Sequence, residues 1–413
     1  MSEQALIEVG AEEMITTKST DLQDARRHGW RTLAILSALM GFASISTDLY
    51  LPAMPAMART LGADTGQVEW TVSGYLIGFS LGQLLWGPIG DRFGRRLPVA
   101  IGLVLFVIGS TGCAASGGIG AMIAWRIVQA TGACASVVLA RAMVRDLYSG
   151  DQAARMLSTL IMVMAVAPLL GPVVGGEILA VAGWRAIFWA LVGFGILTLG
   201  ALMTLPETLP PAARNRQPMG QAFQVYGRLL RDSRLLAFAG ASAFLYGGMY
   251  AYVAGTPFAY ISYHHVPARL YGLLFAIGVV GLVGANMVNV RLVGRVGGTR
   301  LLMGGCTASA VAGLATLLAA WNDWGGVWGL VVPLFVVWAT AGFIVANSIS
   351  GAMADHPKTA GAVSALVGAM QYGTGIVGSG LVGALADGTP RPMAAVIAIC
   401  GIGCLISARL IRR

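Results

Sequence analysis

The sequence predicts an all-α integral membrane protein, with twelve transmembrane helices arranged as two six-helix halves. Three observations carry that expectation. Of 413 residues, 56% are hydrophobic and only 11% charged, whereas a water-facing domain carries roughly 25% charged residues. The apolar residues gather into twelve stretches, each close to the ~20 residues that a helix needs to cross hydrocarbon. All but five of the 27 basic residues fall on one set of alternate loops, the bias that marks the cytoplasmic side.

Residues 1–30 contain Glu3, Glu8, Glu12 and Glu13 and no basic region leading into a short apolar core. They read as a cytoplasmic N-terminal tail rather than a cleavable leader. Spans follow near 32–53, 70–90, 97–115, 120–141, 156–180 and 186–205, which makes 31–205 a first six-helix bundle. Residues 206–235 are the longest polar stretch and form a cytoplasmic central loop. In it, Phe223, Tyr226, Leu229 and Leu230 alternate with Arg228, Arg231 and Arg234, as in an amphipathic helix lying on a membrane surface. The second bundle, 236–413, holds spans near 236–257, 270–290, 300–320, 326–350, 360–385 and 392–410. With both termini inside, only Arg59, Arg185, Arg269 and Arg391 face outward, and Arg126 lies within a span. The second half echoes the first: Arg295-Val-Gly297 stands where Arg92-Phe-Gly94 stands. Two related halves are the framework of alternating-access carriers, for which a monomer suffices.

Several functions are excluded. The net charge of +9 sits at span ends rather than on one face, so anionic lipid headgroups, not nucleic acid, are the expected partner. Cys113, Cys134, Cys306, Cys400 and Cys404 lie in apolar segments without a C-x-x-C pair, which argues against a disulfide framework or zinc. His264 and His265 have no neighbouring ligands in sequence. No Walker loop, Gly-x-Ser-x-Gly or His-Glu-x-x-His occurs. Neither enzyme, metal nor cofactor is expected, and an ion gradient is left as the energy source.

Residues 83–96, Gln-Leu-Leu-Trp-Gly-Pro-Ile-Gly-Asp-Arg-Phe-Gly-Arg-Arg, interrupt two apolar segments with charges that hydrocarbon would not tolerate. They should form a short loop at a membrane surface. Gly87, Asp91, Arg92, Gly94 and Arg95 suggest a conformational latch there, with Arg95 reaching across to another helix; Arg96 reads as a plain anchor. Asp48 lies 17 residues beyond Arg31, roughly 25 Å along a helix, and Arg126 lies roughly 9 Å below the outer end of a span running the other way. Their depths agree, so they can face one another. Burial favours the neutral form of a carboxyl and a nearby guanidinium the charged form, opposing pulls that suit a proton switch; a fixed packing salt bridge is the alternative. Pro168, Gly171, Pro172, Gly175 and Gly176 point to a bend where the halves meet. Glu177, with Arg185 just beyond the turn, reads as an interfacial salt bridge, a proton site being the alternative. Tyr75, Tyr246, Tyr250 and Tyr252 could line a pocket or simply pack, and Asn286, Asn289, Asn347 and Gln371 could bond neighbouring helices.

These stretches carry a resemblance. Asp48-Leu-Tyr-Leu-Pro-Ala-Met-Pro55, Gly78-Phe-Ser-Leu-Gly-Gln83, the 87–96 loop, Arg126 with Gln129, the 168–176 run, Trp184-Arg-Ala-Ile-Phe188, Pro206-Glu207-Thr208 and Ala360-Gly361 resemble the major facilitator superfamily. Within it, the chain is similar to drug–proton antiporters of the Bcr/CflA type. The resemblance implies export of a small drug, including bicyclomycin- or amphenicol-like compounds, across the bacterial inner membrane in exchange for protons. It assigns the coupling carboxylate to Asp48, the membrane arginine to Arg126 and the antiporter motif to 168–176. Read from the residues themselves, Tyr75, Gln129, Tyr246, Tyr250, Asn347 and Gln371 are the candidate substrate pocket. Where some multidrug members carry a second membrane acid, this chain has Met40, which implies neutral or weakly polar cargo. A carrier for a metabolite such as a dipeptide, a sulfur compound or a sugar would share the architecture.

Overall fold

A computed structural model describes residues 29–148, 150–214, 220–356 and 359–411, without the side chains of 150, 151, 154, 155, 157, 158, 161–165 and 220–223. The tail up to residue 28, Arg216, Lys358, Arg412, Arg413 and the Arg155 and Phe223 side chains lie outside the described residues. Among those described there is no strand, and twelve helices have twenty residues or more. The first bundle comprises α1 (Gly29–Asp48), a short α2 (Met54–Leu61), α3 (Thr65–Phe93), α4 (Arg96–Ala115), α5 (Ile119–Leu147), α6 (Gly150–Ala182) and α7 (Trp184–Met203). A linker helix, α8 (Gly220–Leu229), leads to the second bundle. That bundle holds α9 (Ser233–Thr256) with a wider turn over Pro257–Tyr263, α10 (Ala268–Val296), α11 (Gly298–Asn322), α12 (Gly326–Ala354), α13 (Ala360–Ala384) and α14 (Arg391–Leu410).

Ten spans among the described residues are long and apolar enough to cross a membrane. The other two long helices are α3, diluted by Glu69, Gln83, Asp91 and Arg92, and α6, whose described side chains form an apolar stretch over Val166–Ala182. Outward side chains such as Leu197, Val290 and Ile399 are mostly exposed, as a surface facing lipid requires.

Local chemistry sets the helix ends that matter. Pro52 has no N–H to donate to the Asp48 carbonyl, so α1 stops at Asp48 and the chain re-forms as one tight turn and then α2. The 32–53 span thus ends earlier than hydropathy suggests. α3 starts in a capping box: Gln67 N donates to Asp64 Oδ1 at 2.7 Å and Asp64 N donates to Gln67 Oε1 at 3.2 Å. At its far end α3 stays helical to Phe93, so the 83–96 segment is no loop: only Gly94 and Arg95 leave the helix. The helix simply extends out of the apolar zone and carries its charges on its last turns.

The bundles meet along two seams, α3 with α13 and α6 with α10. At the end where α3 begins, the fit is very close. A Cβ on Gly66 would lie 2.2 Å from the Gly383 carbonyl oxygen, and one on Gly272 would lie 2.6 Å from Val173 N. Ser73 Oγ and Ser379 Oγ share a hydrogen bond of 2.7 Å across the α3–α13 seam. This is the closed end. Toward the opposite, arginine-rich end the second seam parts and leaves a space between the bundles.

Candidate functional site

That space is a cavity of about 500 Å³. Its walls are mainly apolar and aromatic: Phe79 and Tyr75 from α3, Tyr246, Met249 and Tyr250 from α9, Trp338 from α12 and Tyr372 from α13. The Tyr246, Tyr250 and Tyr372 rings lie 5.9–6.2 Å apart, with Phe79 4.7 Å from Tyr372. Few polar groups enter it. They include the Asp48 carboxyl, the Asn286 amide and Thr47, and the buried Trp338 Nε1 has no acceptor among the described residues. A shallower hollow continues along α12 from Ala346 to Ala354, so the space runs from mid-depth toward the arginine-rich end. A few convergent polar groups in an apolar cavity are the usual make-up of a small-molecule site.

Asp48 closes α1 on the cavity wall and is 6% exposed. Among the described residues its carboxyl has neither a hydrogen bond nor an ion pair. Arg126, fully buried on α5, acts on it electrostatically but does not bond to it. Its Nη1 instead donates to the Ser46 carbonyl at 3.0 Å and to Gln129 Oε1 at 2.6 Å. Gln129 Nε2 donates onward to Ser110 Oγ at 2.8 Å. The guanidinium lies between two rings, 4.2 Å from the Tyr50 centroid and 4.4 Å from that of Tyr75. Desolvated cation–π contacts contribute about 2 kcal/mol each, so the charge is held without a carboxylate.

The proline-glycine run lies behind Asp48. α6 passes through Pro168 and Pro172 as one helix, and Pro168 borders the cavity. A Cβ on Gly171 would sit 3.1 Å from Asp48 Cβ, and one on Gly175 only 1.8 Å from the Leu49 carbonyl oxygen. On the other side, a Cβ on Gly176 would be 3.2 Å from the Ala268 oxygen of α10. The run therefore touches both the acidic end of α1 and the opposite bundle.

At the arginine-rich end, Gly94 turns the chain with φ +92°. A Cβ there would meet Glu207 Oε2 at 2.5 Å. Arg95, 6% exposed, donates to Asp91 Oδ1 at 2.7 Å and to Asp146 Oδ2, at the end of α5, at 2.8 Å. Burial works against the Arg95 charge, but the bonds to Asp146 and Asp91 outweigh it and hold the pKa above its ordinary value. Glu207 accepts from the backbone N–H groups of Arg95, at 2.8 Å, and Arg96, at 3.2 Å. Arg96 donates to the Met203 carbonyl at 2.6 Å. Arg92 lies over Phe93, and Gly87 has open space beside it.

Twelve long helices among the described residues, an interbundle cavity with a few polar groups and an arginine-clamped glycine turn agree with the matching family model, the Major Facilitator Superfamily, which covers residues 33–379. The chain belongs to that superfamily. It is 33% identical over 374 residues to the uncharacterized MFS-type transporter YdgK of Bacillus subtilis (strain 168), covering 89% of this chain and 92% of that one. It is 30% identical over 372 residues to the bicyclomycin resistance protein homolog of Haemophilus influenzae, with 89% and 92% covered. It is also 30% identical over 364 residues to the chloramphenicol resistance protein of Pseudomonas aeruginosa, with 83% and 82% covered. These relatives put it with the Bcr/CflA type, among transporters rather than enzymes. The fold matches the xylose transporter XylE from E. coli in a partially occluded inward open conformation, with a TM-score of 0.71 at 15% identity over 93% of this chain and 97% of that one. It likewise matches a bacterial homolog of the human lysosomal transporter Spinster, inward-facing, with a TM-score of 0.72 at 15% identity over 92% and 97%.

Within this major facilitator the expected residues separate into groups. Asp48, Tyr75, Tyr246 and Tyr250 share the cavity with Asn286. Gln129 does not reach it; its amide is used up between Arg126 and Ser110. Asn347 is turned away as well, donating to Asn289 Oδ1 at 2.7 Å and to the Phe343 carbonyl. Gln371 is buried outside the cavity wall, and its neighbour Tyr372 faces the space instead. Tyr252 packs in the core against Phe275 and Trp338. Glu177 pairs with Arg269 of the other bundle at 3.7 Å, while Arg185 stacks on Trp184 and donates to the Ser116 carbonyl. Arg95 reaches another helix as expected, but both its acids belong to the first bundle, so this lock ties α3, α4 and α5 rather than the two halves. Sequence reading gave no role to Asp146 or Glu207, although an acid beside a cluster of arginines at a span end is a usable signal.

Proposed function

We propose that the protein is a proton-coupled exporter of small amphipathic drugs, working by alternating access across the bacterial inner membrane. Both termini lie in the cytoplasm, the closed end faces outward, a monomer is the working unit, and the proton gradient, with no cofactor, supplies the energy. One observation carries the reading: Asp48 stands on the cavity wall with no hydrogen-bond or ion-pair partner among the described residues, beside an arginine that is held between two aromatic rings and does not bond it. A desolvated carboxylate without a partner is costly, so a proton or a cargo must neutralise it, and the two can exchange. The aromatic wall suits flat, weakly polar molecules, with the Asn286 amide as a donor. Relatives named for bicyclomycin and chloramphenicol resistance support that class of cargo. Met40, buried in the first bundle, supplies no second acid, so permanent dications should be exported poorly.

The test is proton flux in everted vesicles holding an imposed pH gradient, on addition of bicyclomycin and then an amphenicol. Drug-dependent flux in wild type that is lost in Asp48→Asn is the expected result. Flux unchanged by that substitution would reduce Asp48 to packing. Flux with neither drug would turn the search to a metabolite on the same framework.

A further inference from the structure

We propose that Glu69 is a second proton-binding site, assembled only while the two bundles are shut against each other at the closed end. Glu69 lies on α3 just past its capping box and is 3% exposed. Its Oε2 is buried with no partner among the described residues. It borders a cavity of about 10 Å³, close to the smallest space that holds one water. Thr65 is its neighbour from the first bundle, whereas Gly255, Phe258, Val382 and Met393 come from the second. One bundle thus contributes an acid and the other encloses it.

The charged groups around it give no compensation. Asp64, the cap of the same helix, is negative and occupied by Gln67 N. Asp387, in the turn after α13, is negative and held by Thr389. Arg391 begins α14, but its guanidinium lies over the Trp321 ring at 5.3 Å and donates to the Trp321 carbonyl. The α9 turn and α13 face the acid with apolar side chains only. Thr389 also borders the space, but its hydroxyl is taken by Asp387, and Thr65 does not bond the acid. An ionised carboxylate enclosed without a cation or a bonded donor is far less favourable than the neutral acid. When the bundles separate, Glu69 meets water, where a glutamic acid, with an ordinary pKa of about 4.3, is ionised at neutral pH. Each closure therefore takes one proton from the outer side, and each opening returns it to water as the carboxylate forms. The inference rests on the alternating-access reading above but not on Asp48.

Pulsed spin-label distances between Thr60 and Asn322, exposed positions of the two bundles, can follow the closed end in the full chain in lipid nanodiscs from pH 5 to 9. One linked proton predicts that the closed-to-open ratio falls up to tenfold per pH unit above the midpoint. Glu69→Gln should remain closed and lose that slope, and Glu69→Met, neutral and of similar size, should do the same if the glutamine variant folds poorly. Asp48→Asn should keep the slope, so failure of the exporter reading and failure of this one are distinguishable. Infrared difference spectra should show a protonated carboxyl band in the closed wild type that is missing in Glu69→Gln. A slope that survives both Glu69 variants, or the absence of that band, would overturn the proposal. So would a closed-to-open ratio that responds to sodium at fixed pH, which would make the site one for a metal cation.

Discussion

The two bundles make the same turn with different chemistry. Gly94 joins α3 to α4 with φ +92°, and Gly297 joins α10 to α11 with φ +89°, so the backbone repeats faithfully. In the first bundle the turn is clamped by Arg95, its two aspartates and Glu207. In the second, Arg295 has no carboxylate partner among the described residues, and the link nearby is a neutral amide pair, Asn347 to Asn289. The geometry belongs to the fold and the charge belongs to one half. The half with the charged lock also holds Asp48 and Arg126, whereas the other supplies most of the aromatic cavity wall. Duplication has kept the hinge shape and divided the electrostatics from the cargo contacts.

Arg95→Ala should separate the halves most sharply. Asp146 is largely buried but Asp91 is half-exposed, so the loss should fall below the ~3–5 kcal/mol of a fully buried pair. Its thermal unfolding in detergent should still shift clearly downward while Arg295→Ala leaves the transition within error; equal losses would undo the contrast. Gly94→Ala and Gly297→Ala both force a left-handed residue, at about 1–3 kcal/mol. Only Gly94→Ala adds a collision with Glu207, so its unfolding temperature should be the lower of the two. Smaller still is the amide pair: a double-mutant cycle with Asn289→Leu and Asn347→Leu should give a coupling near the ~0.6 kcal/mol typical of polar contacts between membrane helices.

The smallest effect concerns Asp232, which caps α9 and bonds His356 at 2.9 Å. Its pKa is lowered by the backbone N–H of Leu235, against some desolvation, and further by His356. A lowered carboxyl pKa stabilises the fold above the unfolded value and loses that contribution as pH falls through the folded value. Amide exchange at Leu235 should therefore quicken only in strong acid, and Asp232→Asn should flatten that response without affecting the Arg95 lock.

Much of the fold was legible because each span must satisfy its own backbone within lipid, and hydropathy reports that directly. The glycine echo at 94 and 297 was visible for a similar reason, since a positive φ constrains the residue type. Cavity residues were harder. Asn347 and Gln129 look like pocket groups along the chain, yet their amides are satisfied by Asn289 and Ser110 on adjacent helices. Trp338 and Tyr372 look like ordinary core. Helices apolar on most sides give little sign of which face meets the partner bundle, so α12 and α13 offered no way to rank one aromatic over another. The end of α3 was misread because charge was taken to mean loop, although a helix can carry its last turns out of the apolar zone.

The α3–α13 seam has a mechanical consequence. Near Gly66 and Gly383 the two main chains almost touch, and Ser73 with Ser379 adds a single small hydroxyl contact. The Trp70 ring lies against Gly380 and Gly383, but it rests on glycines rather than between facing knobs, so little side chain must swing clear when the seam parts and rejoins. The same flatness makes the seam intolerant of bulk: one methyl group at either glycine would act as a doorstop, holding the protein ajar while leaving cavity and lock untouched.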